Sequence, residues 1–147
     1  MNSLKLTIGL LIFSIALTAC GQLPSSTTVT IKDRIFIVDI VDDQASRQQG
    51  LSGRDFLAAN QGMLFIFPDQ QKRSFWMKDM NFSIDIVWLQ GDVVIGWETD
   101  LPVPLPQLTV EPPIYESPEP VNQVLELPAG TLKDLDIQLG DMINIDL

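Results

Sequence analysis

Ile84-Asp85-Ile86-Val87-Trp88-Leu89, then Gln90-Gly91-Asp92, then Val93-Val94-Ile95-Gly96-Trp97-Glu98, reads as two apolar strands joined by a tight turn. β-Branched and aromatic side chains fit a pleated backbone, and a glycine supplies the positive φ that such a turn needs. This hairpin sets the class of the fold. Upstream, residues 29–31 and 35–41 carry strand signals. In the second, Ile35, Phe36, Ile37 and Val38 are consecutive, which predicts a strand covered on both faces. Asp42 and Asp43 can cap a short helix over residues 44–50. Residues 62–67 and 74–77 read as strands either side of a turn at Pro68-Asp69-Gln70, with Gly62 letting a tight turn enter a buried strand. Downstream, seven prolines in residues 101–120 argue against a helix or central strand and predict an extended surface excursion. Residues 123–127 and 142–145 read as closing strands, with a helical turn over 132–135 between them. Seven or eight strands and one or two short helices predict a mainly-β, compact single-domain sandwich or barrel-like fold.

The N-terminus has a different character. Lys5 precedes an apolar run over residues 6–17, shorter than the roughly 20 apolar residues of a spanning helix, so residues 1–19 read as a signal peptide. The run ends in Leu17-Thr18-Ala19-Cys20-Gly21, which resembles the bacterial lipobox. Cleavage there falls just before the cysteine, and the Cys20 thiol carries a diacylglyceryl group. Residues 20–28 then read as a lipidated polar tether and residues 29–147 as the domain. An exported chain held to a membrane by the lipid on Cys20 follows. Gly21 is not acidic, which favours the outer membrane facing the periplasm in a two-membrane organism, and otherwise the outer face of the cell membrane.

Residues 20–147 hold eight Lys and Arg against nineteen Asp and Glu, a balance of −11. Phosphate contacts need cations, so nucleic acid is not an expected partner. Cys20 is the only cysteine and there is no histidine. That removes disulfides, Ser-His-Asp and Cys-His catalysis and the commonest zinc ligand. No catalytic residue, cofactor or metal is assigned.

Arg47-Gln48-Gln49-Gly50-Leu51-Ser52-Gly53-Arg54, Gly62-Met63-Leu64-Phe65-Ile66-Phe67 and Phe75-Trp76-Met77-Lys78 occur in that order. Val124-Leu125-Glu126-Leu127-Pro128-Ala129-Gly130 and Gly140-Asp141 follow. Together they resemble the bacterial and archaeal domain-of-unknown-function family 192 (uncharacterised protein family 0127), over roughly residues 29–146. The resemblance implies a compact, mainly-β and often exported domain, and no established activity. After Phe-Trp-Met-Lys the family usually continues Asn-Thr, where this chain has Asp79-Met80. The family's Pro-Leu-Asp is here Ser83-Ile84-Asp85.

Alternation along a strand sends Phe75 and Met77 to one face and Trp76 and Lys78 to the other. An indole beside an ammonium suits a sugar-like or planar ligand, or is simply a half-buried rim tryptophan with a solvated lysine. Asp85 can return beside Lys78 as a salt bridge or part of a polar site. Glu126 turns away from Leu125 and Leu127, towards Arg47 or Arg54, which share a helix face if the helix continues past Gly50. Trp76, Lys78, Asp85, Arg47, Arg54 and Glu126 are therefore the candidate binding residues. They support a ligand- or partner-binding accessory domain for an envelope glycan or protein. The alternatives are a glycan hydrolase using Asp85 and Glu126 as its carboxylates, and an assembly lipoprotein that contacts a partner through residues 101–120. If Cys20 carries the anchor, Cys20→Ser moves the chain from the membrane to the soluble fraction and abolishes palmitate labelling.

Overall fold

The computed structural model describes residues 25–105 and 112–147; residues 1–19, read above as a signal peptide, and Cys20 lie outside them. In chain order the elements are β1 (Ser26–Ile31), β2 (Arg34–Val41), α1 (Gln44–Gln49), β3 (Gln61–Gln71), β4 (Ser74–Trp76) and β5 (Ile84–Gln90). β6 (Val93–Leu101), β7 (Ile114–Glu116), β8 (Val121–Pro128), α2 (Thr131–Leu135) and β9 (Asn144–Ile145) complete them. Seven strands form one sheet in the order β6-β5-β8-β3-β2-β1-β9, and β4 and β7 form a separate ribbon. Among the described strands only β2 and β3 pair in parallel, because α1 carries the chain back between them. The sheet curls until the start of β6 meets the approach to β9. Val93 bridges Met142, Val94 N–H donates to the Asp141 carbonyl at 2.9 Å, and Ile143 N–H donates to that of Asp92 at 2.8 Å. The result is a half-barrel, in line with the barrel-like alternative.

Each face of the sheet carries its own core. Val29, Phe36, Val38, Leu64, Val87 and Leu125 pack on one face under Leu132 and Leu135 of α2. Val41, Met63, Phe65, Ile86, Trp88 and Val124 pack on the other, covered by Leu51, Met77 and Met80. Every residue of β5 except Gln90 is buried, so its apolar run is continuous because both faces are covered. The Gly91-Asp92 hairpin is present, with Gly91 at φ 58°.

Several expectations are corrected. β2 is covered on one face only at its start: Phe36 and Val38 are fully buried, whereas Ile35 and Ile37 are 60% and 51% exposed. Their β1 partners are Thr30 and Thr28. Ser26, Thr27 and Thr28, read as tether, belong to β1, where their backbones pair with Asp39, Val38 and Ile37. No turn interrupts β3 at Pro68, which sits within the strand. Its ladder with β8 is continuous from Met63 to Ile66 and resumes only at Gln71, and β2 pairs only as far as Phe65. The irregularity leaves Pro68 without a ladder bond to make, as proline in a strand requires. The proline-rich excursion contributes β7, which pairs with β4 (Trp76 opposite Ile114).

The family's Asn-Thr pair, here Asp79-Met80, has a structural reading. Asp79 adopts φ 56°, a left-handed conformation that both Asn and Asp tolerate. Met80 is buried in the second core. Gly62 serves close approach rather than a turn: a Cβ there would lie 2.7 Å from the Glu126 carbonyl oxygen and 3.1 Å from Val38 Cγ1. Gly62→Ala is expected to destabilise the fold by about 1–3 kcal/mol, read as a lower urea midpoint with unchanged m-value.

Candidate functional site

A cleft of about 340 Å³ lies between α1, β3 and β4. Asp43 starts α1 by accepting hydrogen bonds from Ala45 N–H (2.8 Å) and Ser46 N–H (3.0 Å); Asp42 instead offers its carbonyl to Arg47. Gln44, Arg47 and Gln48, at i, i+3 and i+4, present one polar helix face to the cleft. The helix stops at Gly50, whose φ of 51° turns the chain so closely over Phe65 that a Cβ would lie 3.4 Å from the ring. Ser52 Oγ donates to the Lys78 carbonyl at 2.9 Å and Gly53 N–H to that of Asp79 at 2.8 Å. These bonds fix the segment after α1 to the segment after β4, and so fix the two walls. Phe65 and Phe75 meet edge to face at 4.8 Å. Gln44, Gln48 and Phe65 join the site although they are not among the six candidates from sequence. The i, i+3, i+4 spacing of Gln44, Arg47 and Gln48 was the available signal.

Of the six candidates, Arg47, Trp76 and Glu126 line this cleft. Trp76 is half exposed, and Lys78 Nζ stands 5.5 Å from its ring centroid. The expected pairing therefore exists, with Lys78 in an adjoining groove beside Gln48, Gln49 and Ser52. Arg47 donates to the carbonyls of Asp42 and Ile66 and lies 5.2 Å from the Phe67 ring. Arg54 does not share its face, because the helix has ended. It pairs with Asp39 at 2.6 Å.

Asp85 is also elsewhere. Fully buried, it accepts from Asp100 N–H (2.8 Å), Gly130 N–H (3.2 Å) and Leu132 N–H (2.9 Å). It thus caps α2 from a distant strand and has no part in a Lys78 pair. The register places Asp85 opposite Leu127 and Glu126 opposite Ile86. Leu127 and Ile86 belong to different cores, so the two carboxylates point to opposite faces of the sheet. A glycosidic bond cannot lie between them. Among the described residues no group of three acidic or cysteine side chains could hold a metal.

Glu126 forms the floor of the cleft, between Met63 of β3 and Ile86 of β5. It is 5% exposed, and its enclosed Oε2 has no hydrogen-bond partner among the described residues. Arg73 Nε, Trp88 Nε1 and Gln123 Oε1 are likewise enclosed and unbonded, but only Glu126 of the four lines the cleft. Burial pushes its pKa up to about 8, against a smaller downward pull from the Arg54 charge. At neutral pH the carboxyl is therefore mostly protonated, a donor as well as an acceptor. An unfolded glutamate releases its proton near 4.5. Between that pH and about 8 the folded chain binds more protons, so rising pH costs stability, by at most about 1.4 kcal/mol per unit. Glu126→Gln removes this slope: the variant gains stability relative to the parent as pH rises from 5 to 8, measured by urea unfolding at each pH.

No curated protein matches the chain. Two solved structures share its fold. One is a candidate transcription regulator from Sinorhizobium meliloti 1021, 29% identical, with a TM-score of 0.71 over 83% of this chain and 95% of that one. The other is a protein of unknown function from Novosphingobium aromaticivorans, 22% identical, with a TM-score of 0.70 over 86% of this chain and 89% of that one. The family model described as DUF192, Uncharacterized ACR, matches residues 27–145. That span contains the strand motifs, both walls of the cleft and Glu126, and on it the chain belongs to domain-of-unknown-function family 192.

Proposed function

We propose that this chain is an exported envelope protein, anchored by lipid on Cys20, whose α1–β3–β4 cleft binds a saccharide. The observation that carries the reading is one concave site with a half-exposed indole at its mouth, an amide-bearing helix face along one wall and a buried carboxyl at its floor. Indole faces stack on the apolar faces of sugar rings, while amides and a neutral carboxyl exchange hydrogen bonds with hydroxyls. The volume lies within the range of small-molecule sites. The charged start, apolar run and cysteine in register at residues 5–20 support the anchor. Binding is preferred to hydrolysis because Asp85, the second carboxylate that hydrolysis would use, is committed to three backbone N–H groups on the other face of the sheet. The regulator designation of the Sinorhizobium protein is not transferred, because eight cations against nineteen acids in residues 20–147 are a poor surface for phosphate.

Co-sedimentation of the purified full chain with insoluble bacterial cell-wall polysaccharide tests the proposal. Trp76→Ala is expected to weaken capture about tenfold, the loss of about 1–1.5 kcal/mol of aromatic contact, without lowering Tm. Equal capture by both proteins, or none by either, counts against it.

A further inference from the structure

Glu126 is an expensive residue for a β-strand centre. Met63 and Ile86 flank it, and its enclosed Oε2 has no hydrogen-bond partner among the described residues, while the side chain lines the cleft. Leucine or methionine would fill the same place without the polar cost. The cleft above it has apolar flanks deep inside, from Leu51, Phe65, Phe75 and Met80, and a polar rim from Gln44, Gln48 and Ser52.

Charge narrows what can occupy the floor. An anionic group would find no cation at the floor itself, where Glu126 stands between Met63 and Ile86; Arg47 lies on the α1 wall, and Arg54 and Arg73 are neutralised by Asp39 and Asp69. An ammonium ligand would enter past Arg47 in the lining and Lys78 in the adjoining groove. The complementary group is therefore uncharged, accepts a hydrogen bond and has an apolar end.

Resting on the saccharide reading, we propose that the ligand is an N-acetylated sugar, its acetamido carbonyl accepting a hydrogen bond from the Glu126 carboxyl and its methyl lying among Phe65, Phe75 and Met80. The amide oxygen is the strongest neutral acceptor a sugar carries, and it meets a carboxylic acid that has no other hydrogen-bond partner among the described residues. The methyl displaces water from a wall that offers water nothing. The sugar ring extends towards Trp76 and the glutamine rim.

Ionising Glu126 removes the donor, so recognition weakens as pH rises through about 8. The charges around it are Arg54 after α1, itself bonded to Asp39 of β2, with Arg47 on α1 and Lys78 after β4 further out. β3 and β5 present only Met63 and Ile86.

The test is calorimetric titration of the purified full chain with the trimers of N-acetylglucosamine, glucose and glucosamine at pH 6.5 and 9. The acetylated trimer is expected to bind at least tenfold more tightly than the glucose trimer at pH 6.5, and to lose most of that preference at pH 9. Glu126→Gln, which keeps an uncharged donor, should hold the preference at both pH values. Glu126→Met, matched in volume and apolar like its neighbours, should abolish it while the fold survives thermal melting. Equal binding of acetylated and plain trimers overturns the inference and leaves the saccharide reading standing. Tighter binding of the glucosamine trimer, or a preference that survives Glu126→Met, overturns it also. If no trimer binds while cell-wall polysaccharide is still captured, the N-acetyl assignment fails alone; if neither binds, both readings fail.

Discussion

The burial of β3, β8 and β5 on both faces is the constraint from which the rest follows. A strand covered on one side can put its polar residues in water. A strand covered on both must give each of them a dedicated partner or accept an unsatisfied group. Asp85 and Glu126 show the two outcomes. Asp85, facing the α2 side, is wholly consumed by three backbone N–H groups and holds together the end of β6, the turn before α2 and the helix itself. Glu126, one step along the neighbouring strand, faces the other core, and its enclosed oxygen has no hydrogen-bond partner among the described residues. The same sheet therefore contains one carboxylate that builds the fold and one that the fold leaves without a hydrogen bond among the described residues.

Much of the architecture was legible because it depends on local rules. The Gly91-Asp92 hairpin, the Asp43-capped helix, the buried half of β3 and the alternation that separates Met77 from Trp76 all follow from neighbours a few residues apart. What could not be read depends on partners far along the chain. Four consecutive apolar residues in β2 look alike in sequence, yet only two are covered, because coverage is decided by what crosses the sheet from elsewhere. Pro68 breaks a strand by local rule, and is accommodated because the pairing of β3 with β8 slips there. Gly62 looks like turn chemistry, and its reason is the backbone of Glu126 on a strand more than sixty residues later.

The site was legible in the same uneven way. Trp76 beside Lys78 is a matter of strand period. Strand alternation turns Glu126 away from Leu125 and Leu127 and predicts an arginine partner; Arg54 instead pairs with Asp39, because the helix ends at Gly50. The spacing from Lys78 makes Asp85 a candidate partner, and only the register of β5 on β8 shows that it belongs to the other face.

The meeting of β6 with the residues before β9 has a consequence for colloidal behaviour. A sheet left open presents rows of unpaired N–H and C=O groups, and two copies brought close can join through them into fibre-like stacks. Here Val93, Val94, Met142 and Ile143 occupy one another along part of that rim, so the length of backbone free to recruit a second copy is reduced. A sheet whose margins are partly spent on each other can be concentrated further before encounters between copies become adhesive.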